Sequence, residues 1–391
     1  MKKKLCAFTA LALALSLLSV PSLAVTTTNS ENNAADILAK HEITVIKETG
    51  SAMIADAQVE LSHPFDSTSD GNYLFEGNTF DSVLSQAAEI KSMIKRGNLI
   101  AIYNEDGIEK DYEETLELPL GYENGAADEN SMVTVGKIYC TDANGYLRIA
   151  QYNVQAENIS ETTYDNFLNY VDSFITKTSA VQATTVASAT ALSMEFLGTV
   201  DNAFEGDDEM GDLYVTYDVS TAQAVSEKDY YGIHAYIDAT PGHAISSNGY
   251  LVQEFTTSLS SPSTGARLYK TGPNTTITAN DYTVNLGFTG SQSGNSGTFN
   301  FGWSGELPGM DISKVVNGSA SCSWTVSISN TTTASDSTIS FEPGGLFYVE
   351  EGYNRLTIES DHSLTVDTIK TNPEEALSAS WTFYCDADDV W

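Results

Sequence analysis

Basic residues are scarce in this chain: 18 Lys and Arg stand against 53 Asp and Glu in 391 residues, a formal charge of −35. A surface so acidic repels phosphate backbones, which argues against nucleic acid as a partner, and it disfavours direct contact with an anionic bilayer. Cysteine is scarce too, with four in the whole chain, so no disulfide-dense scaffold can be built. The short catalytic signatures are missing: there is no His-Glu-x-x-His, no Walker loop and no dinucleotide fingerprint. Gly302-Trp303-Ser304-Gly305-Glu306 approaches a nucleophile elbow, but Glu306 stands where the last glycine belongs and no strand–turn–helix context surrounds it. His41, His63 and His362 have no recognisable catalytic partners in sequence. No catalytic residue is assigned.

Long apolar runs are absent after the first 24 residues. Met1-Lys2-Lys3-Lys4 is a compact positive segment, Leu5 to Val20 is apolar, and Pro21-Ser22-Leu23-Ala24 supplies the small residues of a cleavage site. The run falls short of the ~20 residues that span a bilayer. Cys6 lies too early in it to be a lipid-bearing cysteine. Residues 1–24 are therefore expected to be a secretory signal peptide, and the product a secreted, extracellular protein with no constitutive membrane anchor. Cleavage removes three lysines and no acid, leaving 15 basic against 53 acidic residues and a charge of −38. Cys140, Cys322 and Cys385 remain, an odd number that allows at most one internal disulfide.

Residues 25–33 read as a flexible leader and 34–178 as an α+β domain. In the latter, Asp81 is placed to cap a helix over Ser82–Arg96, in which Val83, Leu84, Ala87, Ile90, Met93 and Ile94 recur at helical spacing and Gly97 follows as the C′ residue. Met132–Cys140 and Tyr146–Val154 are strand-forming runs joined by Asp142-Ala143-Asn144-Gly145, which predicts a hairpin. Ser160 can cap a second helix with an apolar stripe of Phe167, Leu168, Val171, Phe174 and Ile175. Residues 179–191 carry no charge and no aromatic and read as a linker. From 192 to 391, Gly, Ser, Thr and aromatics dominate, and strands such as Cys322–Ser329 alternate at period two. This half is expected to be an antiparallel β-sandwich.

Trp381, Phe383 and Cys385 share one strand face, as do Cys322 and Trp324, so both cysteines are expected in the core. A Cys322–Cys385 disulfide is the one candidate bridge, with two buried thiols as the alternative. Six carboxylates crowd the stretch Asp201–Asp212, and Asp207, Asp208 and Asp212 are its candidate ligands for calcium, the one candidate cofactor. Asp66-Ser67-Thr68-Ser69-Asp70-Gly71 follows the start of an EF-hand loop but departs from it at the third and twelfth positions. His234, Tyr236 and Asp238 fall on one strand face near His243, in a spacing that matches no established ligand pattern.

One segment is distinctive. Tyr282, Val284, Leu286 and Phe288 alternate with Thr283, Asn285, Gly287 and Thr289; after a Gly/Ser turn, Phe299, Phe301 and Trp303 alternate again. A long uncharged hairpin with one apolar and one Thr/Asn/Gly face is the pattern of a membrane-inserting β-barrel. Over about 25 residues it is similar to the stem segments of aerolysin-like and leukocidin-like pore formers. That resemblance implies pore formation through the 276–303 hairpin. A sandwich hairpin packed on one side and wet on the other carries the same alternation.

The main expectation is a non-catalytic extracellular recognition or adhesion protein for a glycan or protein ligand, with Tyr214, Tyr230, Tyr236 and Trp303 as its aromatic face. Pore formation is the first alternative, and a secreted hydrolase with carboxylate or metal chemistry the second.

Overall fold

The computed structural model describes residues 33–48, 65–123, 132–179, 192–206, 211–245, 251–273, 281–293, 295–306, 310–328, 338–350, 355–367, 375–386 and 391. The expected signal peptide, the leader up to residue 32 and linker residues 180–191 lie outside them.

Helix α1 (Asn33–Lys40) leads into β1 (Ile43–Ile46) and β2 (Asn72–Glu76). A 3-10 stretch over Thr79–Gln86 runs into α2 (Ala87–Lys95), followed by β3 (Ile100–Tyr103), a four-residue α3 (Tyr112–Thr115) and β4 (Leu120–Glu123). The hairpin of β5 (Met132–Thr141) and β6 (Leu147–Gln155) precedes the long α4 (Thr163–Ser179). Strands then dominate: β7 (Leu192–Ser193), β8 (Glu195–Glu205), β9 (Gly211–Ala222), β10 (Lys228–Pro241), β11 (Leu251–Ser260) and β12 (Arg267–Gly272). Next come β13 (Asp281–Asn285), β14 (Phe288–Gln292), β15 (Asn295–Asn300) and β16 (Gly302–Glu306). The last are β17 (Met310–Asn317), β18 (Ser321–Ile328), β19 (Ile339–Phe341), β20 (Gly344–Glu350), β21 (Arg355–Asp367) and β22 (Glu375–Asp386).

The protein is mostly β, with several antiparallel sheets. The large sheet runs β1-β2-β3-β5-β6-β8-β9-β10-β20-β12, with β19 also on β10; the second runs β17-β18-β11-β21-β22-β4. Strands from residues 34–178 and from 192–391 meet within the large sheet, where β6 and β8 pair in parallel from Leu147↔Gly198 to Val154↔Glu205. The second sheet also takes a strand from each side, with β4 on β22. Arg355 reinforces that join, holding Glu123 at 2.7 Å and Glu114 at 3.1 Å.

Local sequence explains much of this. The β5–β6 turn forms as expected: the Asp142 carboxylate accepts the amides of Asn144 and Tyr146, and Gly145 takes φ +87°. Gly97 ends α2 at φ +90°, a left-handed conformation that suits glycine. Asp81, however, is not a cap. Its carboxylate accepts from Lys110 and from the Tyr112 hydroxyl, so the first turns tighten into a 3-10 stretch that buries Phe80 and Val83. Helix α4 begins three residues after Ser160 and buries Phe167, Leu168, Val171 and Phe174 against one face of the large sheet.

The other face of that sheet and the inner face of the second share one apolar core, in which Val215, Tyr217 and Phe347 meet Phe255, Trp324 and Phe383. Cys322 and Cys385 are buried free thiols in it, and burial pushes the Cys322 thiol up to about 11. The Cys322–Cys385 bridge is not formed. β11 and β21 stand between their strands, and three strand spacings of about 4.8 Å exceed the reach of a disulfide.

Two buried polar groups tie the core together. The Lys137 ammonium and Glu113 carboxylate, both with fully covered side chains, lie 3.0 Å apart, with the Tyr139 hydroxyl also donating to Glu113. Removing one partner strands a buried charge, so Lys137→Met is expected to lower stability by about 3–5 kcal/mol in denaturant unfolding. Lys137→Met with Glu113→Leu is expected to recover most of that loss.

His362 lies between the sheets, its Nε2 2.8 Å from the Tyr217 hydroxyl and 2.9 Å from the Ser360 hydroxyl. Burial holds the imidazole neutral, its pKa pushed down to about 3. Between about pH 6.5 and that value the unfolded chain binds the extra proton, so this group lowers stability as pH falls, by up to about 1.4 kcal/mol per pH unit. His362→Gln should therefore show a shallower loss of unfolding midpoint across that window than the parent.

Candidate functional site

The segment singled out in the sequence is one continuous hairpin. β13 pairs β16 from Asp281↔Glu306 to Asn285↔Gly302, and β14 pairs β15 from Phe288↔Phe299 to Gln292↔Asn295, in a single unbroken register. The Leu286 amide, 2.7 Å from the Phe301 carbonyl, closes the gap between the two blocks. Each arm thus spans twelve residues, 281–292 and 295–306. No charged residue occurs from Tyr282 to Gly305.

Because side chains alternate, register partners share a face. One face carries Tyr282, Val284, Leu286, Phe288, Phe299, Phe301 and Trp303; the other carries only Thr, Ser, Asn and Gly between Asp281 and Glu306. The apolar face lies on the large sheet over β10, β20 and β12, and Tyr282, Val284, Leu286, Phe288 and Phe299 are buried. Glycine permits this close approach. A Cβ on Gly232 would come 2.6 Å from the Phe301 ring, and one on Gly272 2.3 Å from Val284.

The second arm also pairs in parallel with β7 (Phe299↔Leu192, Asn300↔Ser193), and three groups of hydrogen bonds hold the hairpin down. Glu342 is the first: its carbonyl accepts from Trp303 Nε1 at 2.8 Å and from the Tyr282 hydroxyl at 3.1 Å, and its amide donates back to that hydroxyl. The carboxylate of Glu342 lies 3.2 Å from His234 Nε2, and the His234 ring stacks on Trp303 at 4.4 Å. At mid-length, Lys270 donates to the Gly287 carbonyl. Near the turn, the Ser226 amide donates to Ser291 O at 2.8 Å and Gln292 Nε2 to Gln223 O at 2.9 Å.

The other candidates fare differently. His234 packs against Tyr236 at 4.1 Å, while Asp238 accepts from Ser340, so this strand face serves ring packing and local bonds. The Asp218 carboxyl across from His234 is raised by burial, partly offset by His234 and Arg148. Asp207, Asp208 and the side chain of His243 lie outside the described residues. Asp212 sits at the start of β9 opposite Glu205 and Thr240. The exposed Asp66 carboxylate accepts from the hydroxyl and amide of Thr68, which holds it below the ordinary value. Among the described residues no group of three or more His, Cys, Asp or Glu is placed to hold a metal ion. The aromatic face expected for ligand recognition is largely covered: Tyr230 is buried beneath Phe288, and Tyr214, Tyr236 and Trp303 are half-buried. Sequence reading missed Glu342 and the clearing glycines, whose roles exist only once the hairpin is laid on the sheet.

No family model and no curated protein sequence matches the chain. Solved structures do. One titled "Pore forming protein" is 8% identical, covering 48% of this chain and 90% of that one with a TM-score of 0.32. Clostridium perfringens delta-toxin is 11% identical over 48% of this chain and 89% of its own, with a TM-score of 0.34. The membrane-inserted Clostridium perfringens NetB toxin is 8% identical over 49% and 96%, with a TM-score of 0.30. Likenesses at this level carry no argument, and the site is read from its own geometry.

Trp303→Ala removes both the stack on His234 and a bond to Glu342. It is expected to speed amide exchange and proteolysis within 281–306 by about tenfold, since the ring stack and the hydrogen bond it removes are together worth about 1–3 kcal/mol. Exchange in α4 and β5 should stay unchanged.

Proposed function

We propose that this protein is a secreted β-barrel pore former and that the hairpin 281–306 is its membrane-spanning stem, stored flat against the body. The observation that carries the reading is the unbroken register of two twelve-residue arms with one apolar and one polar face. A tilted barrel strand needs about 9–11 residues to cross the hydrocarbon core, and these arms reach that length. The apolar face would meet lipid and the Thr/Ser/Asn/Gly face would line a wet lumen. The first acids, Asp281 and Glu306, are register partners at the base, where the stem would leave the bilayer.

Released into water, the apolar face exposes seven large side chains at about 1.5–3 kcal/mol each, so release needs an apolar acceptor. A single hairpin in lipid would leave backbone groups unpaired along both edges, which only a closed barrel avoids. Several copies must therefore contribute one hairpin each. The body in this reading is an α+β part over 34–178 and a β-sandwich over 192–391 joined through shared sheets.

A tether tests this. Gly290 of the hairpin and Val225 of the body lie close enough that a Cβ on Gly290 would stand 3.7 Å from that of Val225, inside the range a disulfide spans. Wild type is expected to release calcein from liposomes and to form oligomers there. Oxidised Val225→Cys/Gly290→Cys should do neither until reduced. A wild-type chain that stays monomeric on liposomes and releases no dye would overturn the reading.

A further inference from the structure

Beside the hairpin, one corner of the large sheet departs from the acidity of the chain. Tyr230 of β10, Tyr269 of β12 and Tyr348 of β20 gather there, with ring centroids 5.9 Å (Tyr230–Tyr269), 5.7 Å (Tyr230–Tyr348) and 6.4 Å (Tyr269–Tyr348) apart. Tyr269 is 44% exposed. Three cations frame the rings. Lys228 Nζ is 4.0 Å from the centre of Tyr348, Lys270 Nζ is 5.5 Å from that of Tyr269, and Arg267 is the register partner of Tyr348. Two acids stand in register here: Glu350 opposite Lys228, and the buried Asp229 opposite Val349.

The backbone explains why these residues converge. The β12–β20 register shifts between Leu268 and Lys270, leaving Tyr269 as the extra residue of a bulge. A bulge re-aims its side chain, and here it turns an aromatic outward between two exposed cations on an edge strand.

We propose that this tyrosine–cation corner docks the protein on a phospholipid bilayer, the cations taking headgroup phosphates and the exposed Tyr269 ring lying at the interface, backed by Tyr230 and Tyr348. Tyrosine is suited to that depth, with an apolar ring and a wet hydroxyl. Lysine and arginine are drawn to phosphate. Charge selects the bilayer: the corner gathers three of the 18 basic residues of a chain whose net charge of −35 opposes anionic lipid, so a zwitterionic surface fits. Position supports the same partner. Phe288 of the hairpin stacks on Tyr230 at 4.1 Å and Lys270 binds the hairpin backbone, so docking here brings lipid to the stored stem. The inference rests on the pore reading for the stem's role, whereas docking itself needs no insertion.

The test is flotation of the full chain with phosphatidylcholine vesicles, comparing wild type with Arg267→Ala/Tyr269→Ala, two exposed positions whose loss should leave the unfolding midpoint unchanged. The double variant is expected to lose about tenfold in vesicle partitioning, and inorganic phosphate in solution should not displace the wild type. Equal partitioning of variant and wild type overturns the proposal, as does absence of wild-type flotation or displacement by phosphate, which would mark a free-anion site. Dye release from the same vesicles separates the two readings. Flotation without release keeps the docking corner and sinks the pore, whereas release with undiminished flotation of the variant keeps the pore and sinks the corner.

Discussion

The large sheet is apolar on both faces, and each face must be kept from water. Its inner face meets the second sheet in one core. Among the described residues its outer face is covered by helices α1 and α4 and by the hairpin. Helix α4 lies over the strands of the first half, burying Phe167, Val171 and Phe174, and the 281–306 hairpin lies over β10, β20 and β12. The helix is tied to its place by a wide aromatic contact with Tyr103 and Tyr152. The hairpin rests on glycine and is pinned at Glu342, Lys270, Ser226 and Gln223 and by its pairing with β7. In the pore reading proposed above, the hairpin is the cover that leaves.

Charge is distributed with the same logic. The chain is strongly acidic, yet the hairpin between Tyr282 and Gly305 has no charge at all. A charged side chain on the lipid face of a barrel costs about 2–4 kcal/mol at mid-bilayer, so its absence suits transfer into lipid. Buried ions occur elsewhere and in pairs: Lys137 with Glu113, and Arg148 with Asp201 at 2.8 Å. Such pairs fix partners and register within the body. The basic residues that are not spent this way include the three at the tyrosine corner, on the rim of the hairpin.

How much of this was legible in the sequence depends on the range of the signal. Period-two alternation identified both arms of the hairpin and the two faces they carry, because that pattern is set by neighbouring residues alone. Gly97 and the Asp142–Gly145 turn were legible for the same reason. Asp81 was read as a helix cap from its local context and instead serves Lys110 and Tyr112, partners about thirty residues away. The Cys322–Cys385 bridge failed because shared burial does not imply proximity when two strands intervene. Tyr269 carries no signal in the sequence, since an isolated tyrosine in a polar stretch becomes an exposed corner only through a bulge defined by strand pairing.

The sequence by itself determined that strands dominate the second half, that the chain is acidic, and that one long hairpin has an uncharged two-faced pattern. These follow from residue type and spacing. Only the tertiary structure decided what the apolar face of that hairpin rests against, that its two strand blocks keep one register over twelve residues, and that close-lying glycines and bonds from Glu342, Lys270, Ser226 and Gln223 hold it in place. Alternation says that a face must be covered; it carries no information about the covering surface, because burial is a property of two surfaces in contact and only one of them lies within the segment.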